Sequence, residues 1–265
     1  MKVKNYQQLK FEVLGSVAHV TLNRPEIRNA FGLELISELS DVFTQLGGRH
    51  DLCAIVLRGA GKSFCAGADL NYMKAMAKFS REQNENDAKQ LFDMFLSVRT
   101  CAVPTIAVLH GHVMGGGLGL AAAADISVAV DGTQFCFSEV KLGLIPAVIS
   151  KFSLEKIQPS WARRFMLTAE IFDSSLALAS GLVTMKGASA EVEAFVGETL
   201  SRLSSGGPEA IRACKKLIEQ TGRDMDWSEA RTMTAQLIAS QRMSAEGQEG
   251  MQSFLEKRDP KWRSK

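Results

Sequence analysis

One carboxylate and two glycine-rich turns are the features of this sequence best suited to chemistry. Glu139 lies in the segment FSEVKLGLIPAVIS (137–150), where most neighbours are apolar. Burial of a carboxyl group in such a setting raises its pKa and suits it to accept and return a proton. The alternative is a structural role, in which Glu139 pairs with a cation such as Lys141. The residue alone does not decide between these roles.

The segment HGHVMGGGLGLAAAAD (110–125) places three consecutive glycines after an apolar run and before an apolar stretch. A strand that ends in such a turn and continues as a helix points unpaired backbone N–H groups at whatever lies above the turn. Glycine allows close approach because it has no Cβ, and it accepts positive φ. The turn therefore favours negative charge, either a permanent phosphate or an oxyanion formed during a reaction.

Two phosphate-binding patterns have partial matches here. Residues 117–122 match G-x-G-x-x-A, but about eight residues separate Gly117 from Asp125 before the extended segment ISVAV, too few for the helical crossover of a dinucleotide-binding unit. The segment GAGKS (59–63) lacks the first glycine of a P-loop, because position 56 is Val56. Neither turn is therefore predicted to bind a phosphate.

A metal site and a serine nucleophile are not predicted either. His110 and His112 lie on one side of an extended segment, but no third ligand candidate is close in sequence, so both are interpreted as structural histidines. No G-x-S-x-G motif is present, which gives a serine hydrolase no support.

Composition predicts a soluble globular protein. The 265 residues are 46% hydrophobic and 23% charged, and the net charge of +2 gives no basic field for nucleic acid. No apolar run is long enough for a membrane span, and the opening MKVKNYQQLKFEV lacks a signal core. Five cysteines without a C-x-x-C pair indicate reduced thiols and a cytoplasmic location.

Strand and helix signals alternate up to about residue 185, and helical patterns follow. FEVLGSVAHVTLNRP predicts two strands around Gly15, while LCAIVLRG and TIAVLHG predict buried strands. ISVAV and QFCFSEV are also predicted as strands, and WARRFMLTA as a helix. Further helices are predicted to start at Pro208 and near Trp227.

Several segments, taken in order, resemble the crotonase (enoyl-CoA hydratase/isomerase) superfamily. The resemblance runs nearly end to end, through VTLNRPEIRNAF, FCAGADL, GGGLGLAAAADI, SEVKLGLIP and EGQEGMQSFLEKRDPKW. It implies an α/β fold of the ClpP/crotonase-like type, with a spiral of ββα units over residues 1–190 and a helical trimerisation region over 191–265. LGLIPAVIS, RRFMLTAEIFD and EGQEGMQSFLEKR look more specifically like bacterial 3-methylglutaconyl-CoA hydratases of leucine degradation.

The resemblance implies that an acyl-CoA thioester is the substrate, without a separate cofactor because CoA is part of that substrate. By motif position, the backbone N–H groups of Ala68 and Gly116 bind the thioester oxygen, and Glu139 transfers the proton. The positions implied to contact CoA are Arg28, Ala30, Ala66, Ala68, Asp69, Leu70 and Lys257. The positions implied to line the acyl pocket are Gly115, Gly119, Pro146 and Ala147. For Arg28 and Lys257, a solvated surface charge is the alternative. The implied protein partner is a second copy of the chain, in a homotrimer or a dimer of trimers.

Two departures from the family pattern leave the reaction open. Hydratases of the superfamily commonly use two glutamates, and the earlier one falls at Gly119 here. After Pro146, the common glycine-rich run is replaced by AVIS (147–150). Three hypotheses follow: hydration of an enoyl-CoA by Glu139 alone, isomerisation of a 3-enoyl-CoA by the same group, and a non-catalytic member that only binds acyl-CoA.

Overall fold

A computed structural model describes residues 6–221 and 225–264. Its strands are β1 (Leu9–Leu14), β2 (Val17–Leu22), β3 (Ala54–Gly59), β4 (Thr105–Leu109), β5 (His112–Met114), β6 (Ile126–Val130), β7 (Gln134–Cys136), β8 (Phe172–Asp173) and β9 (Met185–Gly187). Its helices are α1 (Leu33–Gly47), α2 (Leu70–Met76), α3 (Arg81–Thr100), α4 (Gly116–Ala123), α5 (Ala147–Lys156), α6 (Pro159–Thr168), α7 (Ser174–Ser180), α8 (Ser189–Ser205), α9 (Pro208–Gln220), α10 (Trp227–Met243) and α11 (Ala245–Leu255).

The strands form two sheets. The larger has the order β1-β2-β3-β4-β6-β9, in which β1 and β2 are antiparallel and the remaining pairs are parallel. The smaller has the order β5-β7-β8. Strands β3 and β4 are apolar on both faces because both faces of the larger sheet are covered there. Val192 and Val196 of α8 pack against Val56 on one side, and the main core lies on the other.

One structural unit occurs three times in succession along the chain. Its first strand joins the larger sheet, as β3, β4 and β6 do. The chain then enters the smaller sheet or its edge, at Cys65 (which bridges to Val113), at β5 and at β7. A helix or turn follows each time: α2, α4 and the 3-10 turn Glu139–Leu142. Equivalent positions of successive units therefore lie next to one another.

Most of the predicted elements are present, and the differences are local. The hairpin turns at Gly15, and α9 and α10 begin at the predicted residues Pro208 and Trp227. The strand predicted for QFCFSEV ends at Cys136, because the chain turns there and places Glu139 in the 3-10 turn. The helix α5 was not predicted, since it follows Pro146 without a helical apolar period.

The helices after residue 188 differ from one another in burial. The predicted boundary at residue 190 falls within α8, and α8 packs on the larger sheet. In contrast, α10 has no buried side chain, and Phe254 of α11 is 83% exposed. None of the helices in the described ranges is long and apolar enough to cross a membrane. All five cysteines are free thiols, of which Cys214 is exposed and Cys53 partly exposed.

Candidate active site

Three segments, one from each structural unit, lie side by side and carry the predicted catalytic groups. The amide of Cys65 donates to the carbonyl oxygen of His112, and Met114 donates back to Cys65 at 2.9 Å. On the other side of this segment, the amide of Gly115 donates to the carbonyl oxygen of Cys136 at 3.1 Å. The segments around 68, 116 and 139 are therefore neighbours in space as well as equivalent in the fold.

The first bend, at Gly67 and Ala68, presents the Ala68 amide. Phe31 forms a parallel bridge with Ala68: it donates to the carbonyl oxygen of Gly67 at 2.7 Å and accepts from the amide of Asp69 at 2.8 Å. Because bridge bonds on the two sides of Ala68 face Phe31, the N–H of Ala68 itself points the other way. Gly67 takes φ +98°, a conformation that favours glycine.

The second bend presents the Gly116 amide at the N-terminus of α4. Gly115 precedes the helix with φ +47°, and the first helical amide has no intrahelical acceptor. Phe31 touches this bend too, since a Cβ on Gly116 would lie 2.8 Å from its ring. Within residues 6–221 and 225–264, neither the Ala68 amide nor the Gly116 amide donates a hydrogen bond to the protein.

Glu139 is half-buried at the start of its 3-10 turn. Its Oε2 is buried and has no hydrogen-bond partner among the described residues. Burial raises the pKa of this carboxyl group above its ordinary value, because desolvation penalises the charged form. No ion pair joins Glu139 to Lys141 in the described part of the chain, so the structural alternative has no contact to support it.

The carboxylate and both bends meet at Gly115. A Cβ built on Gly115 would lie 3.3 Å from Oε1 of Glu139 and 3.9 Å from the Cα of Gly67. The two bends therefore face each other across a narrow space, with the carboxylate beside them. Two free amides and one desolvated carboxyl group can together bind an oxyanion and move a proton.

The space at Gly119 is occupied by apolar side chains. A Cβ on Gly119 would lie 2.5 Å from Cγ2 of Ile149 and 2.7 Å from the ring of Phe95. Ile149 belongs to α5, which begins at Ala147 after the N-cap residue Pro146. The two departures in sequence, Gly119 and AVIS (147–150), thus fit one another in space.

Comparison with known proteins agrees with this arrangement. The family model described as enoyl-CoA hydratase/isomerase matches residues 12–265. An enoyl-CoA hydratase of Alternaria alternata is 37% identical over 218 residues, which cover 80% of this chain and 70% of the relative.

Solved structures agree as well. An enoyl-CoA hydratase from Shewanella pealeana has a TM-score of 0.93 at 36% identity, covering 97% of this chain and 96% of its own. An enoyl-CoA hydratase/isomerase from Marinobacter aquaeolei has a TM-score of 0.91 at 32% identity, covering 97% and 99%. The chain belongs to the enoyl-CoA hydratase/isomerase family. The predicted crotonase fold, a spiral of ββα units followed by helices, is confirmed.

The residues predicted to contact CoA lie mostly in two adjacent loops, one around Arg28 and one around Ala68, which together are called the loop pair. The amide of Ala66 donates to the carbonyl oxygen of Arg28 at 2.9 Å, and Ala30 is buried beside them. Asp69 is the N-cap of α2, and Leu70, its first residue, is 73% exposed. These positions surround the Ala68 bend.

Two residues that the sequence analysis did not single out hold this loop pair together. Arg24 forms an ion pair with Asp69 at 2.9 Å and donates to the carbonyl oxygen of Ala30. A hydrogen bond from the amide of Asn71 lowers the pKa of the Asp69 carboxyl group, and the hydrogen bond from Arg24 lowers it further. Asn29 is fully buried and donates to the carbonyl oxygens of Ala60 and Ser63. The NRPEIRNAF segment alone does not reveal the contacts with Asp69, Ala60 and Ser63, because these join residues more than thirty positions apart.

Lys257 is separate from the other predicted CoA positions. It follows α11, takes φ +56° and is exposed, and no contact in the described ranges joins it to the loop around Arg28 and Ala68. Its predicted contact with CoA stays a prediction.

His110 and His112 each contact a residue of the preceding structural unit. His110 Nε2 lies 3.1 Å from the carbonyl oxygen of Gly61, and His112 Nδ1 lies 3.1 Å from Oγ of Ser63. Both contacts join the first and second structural units, in keeping with a structural role.

Proposed function

We propose that this protein adds water to an α,β-unsaturated acyl-CoA. The amides of Ala68 and Gly116 bind the thioester oxygen, and Glu139 moves the proton. The observation that carries the proposal is the convergence of both bends at Gly115 on the half-buried carboxylate of Glu139, whose Oε2 has no hydrogen-bond partner among the described residues. The names of the hydratase relatives from Alternaria alternata and Shewanella pealeana support the reaction class.

The two amides would stabilise the enolate that forms during the reaction. Charge appears on the thioester oxygen only in the intermediate, and fixed backbone dipoles need no reorganisation to meet it. Losing one such donor in other enzymes costs about 3–4 kcal/mol. The rigid bridge to Phe31 and the N-terminus of α4 favour this role.

We further propose that the loop pair around Ala68 holds the CoA moiety. Ala66, Asp69 and Leu70 would line its adenine and pantetheine arm, Arg28 would lie near its phosphates, and Ala30 would contact CoA beside them. No separate cofactor is needed, since CoA arrives as part of the substrate. A non-catalytic acyl-CoA-binding protein would share this loop but would not need a desolvated carboxylate beside it.

With one carboxylate, Glu139 would both orient the water and return the proton to the substrate. A substrate with its own carboxylate could assist, and 3-methylglutaconyl-CoA is the candidate because LGLIPAVIS and EGQEGMQSFLEKR resemble that subgroup. We also propose a homotrimer or dimer of trimers in the cytoplasm, supported by the exposed apolar residues of α10 and α11.

Isomerisation is the second candidate, and the packing at Gly119 favours it. One carboxylate suffices to remove a proton from one carbon and return it to another, and no bound water is required. Ile149 and Phe95 fill the place where a second, water-holding side chain would stand.

Substrate assays separate these functions. The purified protein is mixed in turn with crotonyl-CoA, 3-methylglutaconyl-CoA and a 3-enoyl-CoA, and the conjugated thioester absorbance is followed. Hydration removes absorbance from the first two, whereas isomerisation creates it in the third. If no thioester changes while acyl-CoA still binds in calorimetry, the enzymatic proposal is wrong and the binding protein is right.

A further inference from the structure

The packing between α4 and α5 shows that positions 119 and 149 share one volume. Gly119 is fully enclosed, and a Cβ there would overlap Cγ2 of Ile149 at 2.5 Å and the Phe95 ring at 2.7 Å. Ile149 is itself buried, in contact with the main core. Because real Cβ atoms do not approach this closely, a Cβ at position 119 and the Cγ2 methyl group of residue 149 do not both fit in this arrangement.

This shared volume lies close to the candidate carboxylate. Gly115 is the N-cap of α4, and the amide of Gly119 donates to its carbonyl oxygen at 3.3 Å, so Gly119 lies one helical turn from Gly115. The Cβ direction of Gly115 meets Oε1 of Glu139. The Cβ direction of Gly119 meets Ile149, whose side chain therefore lies one helical turn from the residue that faces the candidate carboxylate.

We propose that Ile149 is a specificity-determining residue of the acyl pocket. It takes the place of the side chain that α4 lacks at Gly119, and it thereby sets how bulky an acyl group fits beside Glu139. The placement of the acyl group rests on the proposed function; the shared volume does not. The side chains at positions 119 and 149 should therefore compensate in volume, so that atoms added at one position require atoms removed from the other.

Four variants test the shared volume by thermal unfolding. Gly119→Ala and Ile149→Ala are each expected to lower the melting temperature, the first through overlap and the second through the cavity that it leaves. Gly119→Ala/Ile149→Ala is expected to lose less than the sum of the two single losses, because Cγ2 is removed, although the Phe95 ring still limits the compensation. Gly119→Ala/Ile149→Val is expected to lose at least as much as Gly119→Ala alone, because valine keeps that methyl group.

A matched glycine controls for helix propensity. Gly197 lies in α8 with no atom within 4 Å of its Cβ direction. Gly197→Ala is expected to keep or raise the melting temperature, since alanine favours a helix more than glycine does. If Gly119→Ala behaves like Gly197→Ala, or if its loss simply adds to that of Ile149→Ala, the shared volume is refuted.

Binding of saturated thioesters tests the specificity without requiring turnover. Butyryl-CoA and octanoyl-CoA are titrated calorimetrically into the wild type, Ile149→Ala and Gly119→Ala/Ile149→Ala. Ile149→Ala is expected to shift the affinity ratio toward octanoyl-CoA by about ten-fold, and the double variant to move it back. An unchanged ratio overturns the specificity role. Because these ligands do not react, failure of the proposed hydration in the substrate assays leaves this outcome readable.

Discussion

The spiral core and the last helices differ in how far the chain buries its own apolar residues. In α4, seven of eight residues are buried, and both bends of the candidate site are fixed by contacts within the chain. In α10 no residue is buried, and Trp227, Ile238 and Met243 remain exposed. The contacts that position the candidate site therefore lie within the core, whereas the last helices leave apolar residues exposed, as interaction surfaces do. Substitutions in the two regions should accordingly differ in kind.

The largest effect is expected from Glu139→Gln. Without a group that accepts a proton, turnover of the reactive thioester should fall about a thousand-fold, while affinity for a saturated acyl-CoA should hardly change. Steady-state assays and calorimetry on the same preparation measure both. A turnover number close to that of the wild type would show that another group moves the proton.

The same variant has an expected signature in stability. Burial raises the folded-state pKa of Glu139, so its stabilising contribution is present below its unfolded pKa and is lost as the pH rises through the folded value. Urea unfolding should therefore show Glu139→Gln gaining stability relative to the wild type as the pH rises from about 4 to 8. A flat profile would mean that the carboxylate is as well solvated as in the unfolded chain, and the opposite slope would mean that the folded protein stabilises its charged form.

Gly115→Ala should lower kcat/KM by about a hundred-fold, because a misplaced catalytic group costs that much. The new Cβ would press on Oε1 of Glu139 at 3.3 Å and would strain the backbone at φ +47°. Gly15→Ala separates these causes, since Gly15 has φ +59° and nothing within 4 Å. It should lose some stability through its positive φ and keep full activity. Equal activity in the two variants would contradict the contact with Glu139.

The fold and the candidate groups were predictable to different depths. Regular strands such as β3 and β4 follow from short apolar runs, and the resemblance supplied the order of Ala68, Gly116 and Glu139. The structure confirms β3 and β4 as strands, and it places the three groups close together. Their roles stay predictions.

Contacts between distant segments were not predictable. Ile149 at Gly119, Phe31 touching both bends and the loop contacts of Asn29 join residues about thirty or more positions apart. Local patterns carry propensity and burial but no partner identity. The sequence showed that a side chain was missing at Gly119, and only the packing shows which one takes its place.

Asn29→Ala should destabilise the core by about 2–4 kcal/mol, because it leaves the buried carbonyl groups of Ala60 and Ser63 unpaired and puts alanine at positive φ. Urea unfolding measures the loss. Asn29→Gly, which removes the same hydrogen bonds without the backbone strain, should lose less. If both variants unfold like the wild type, the loop pair does not depend on this amide.

The smallest effect on stability, and the clearest contrast with the core, is expected from Phe254→Ser. Phe254 is 83% exposed on α11, so its loss should change the free energy of unfolding of a single chain by no more than about 0.5 kcal/mol. Yet if the last helices are covered by further copies of the chain, sedimentation at micromolar concentration should shift from a trimer or larger species toward smaller ones. Leu14→Ser, at a residue 58% exposed on β1 of the core, is the matched control and should leave the sedimentation coefficient unchanged. An exposed phenylalanine in an interface contributes through the area that it buries there. A Phe254→Ser protein that sediments like the wild type would therefore show that Phe254 lies outside any interface between copies.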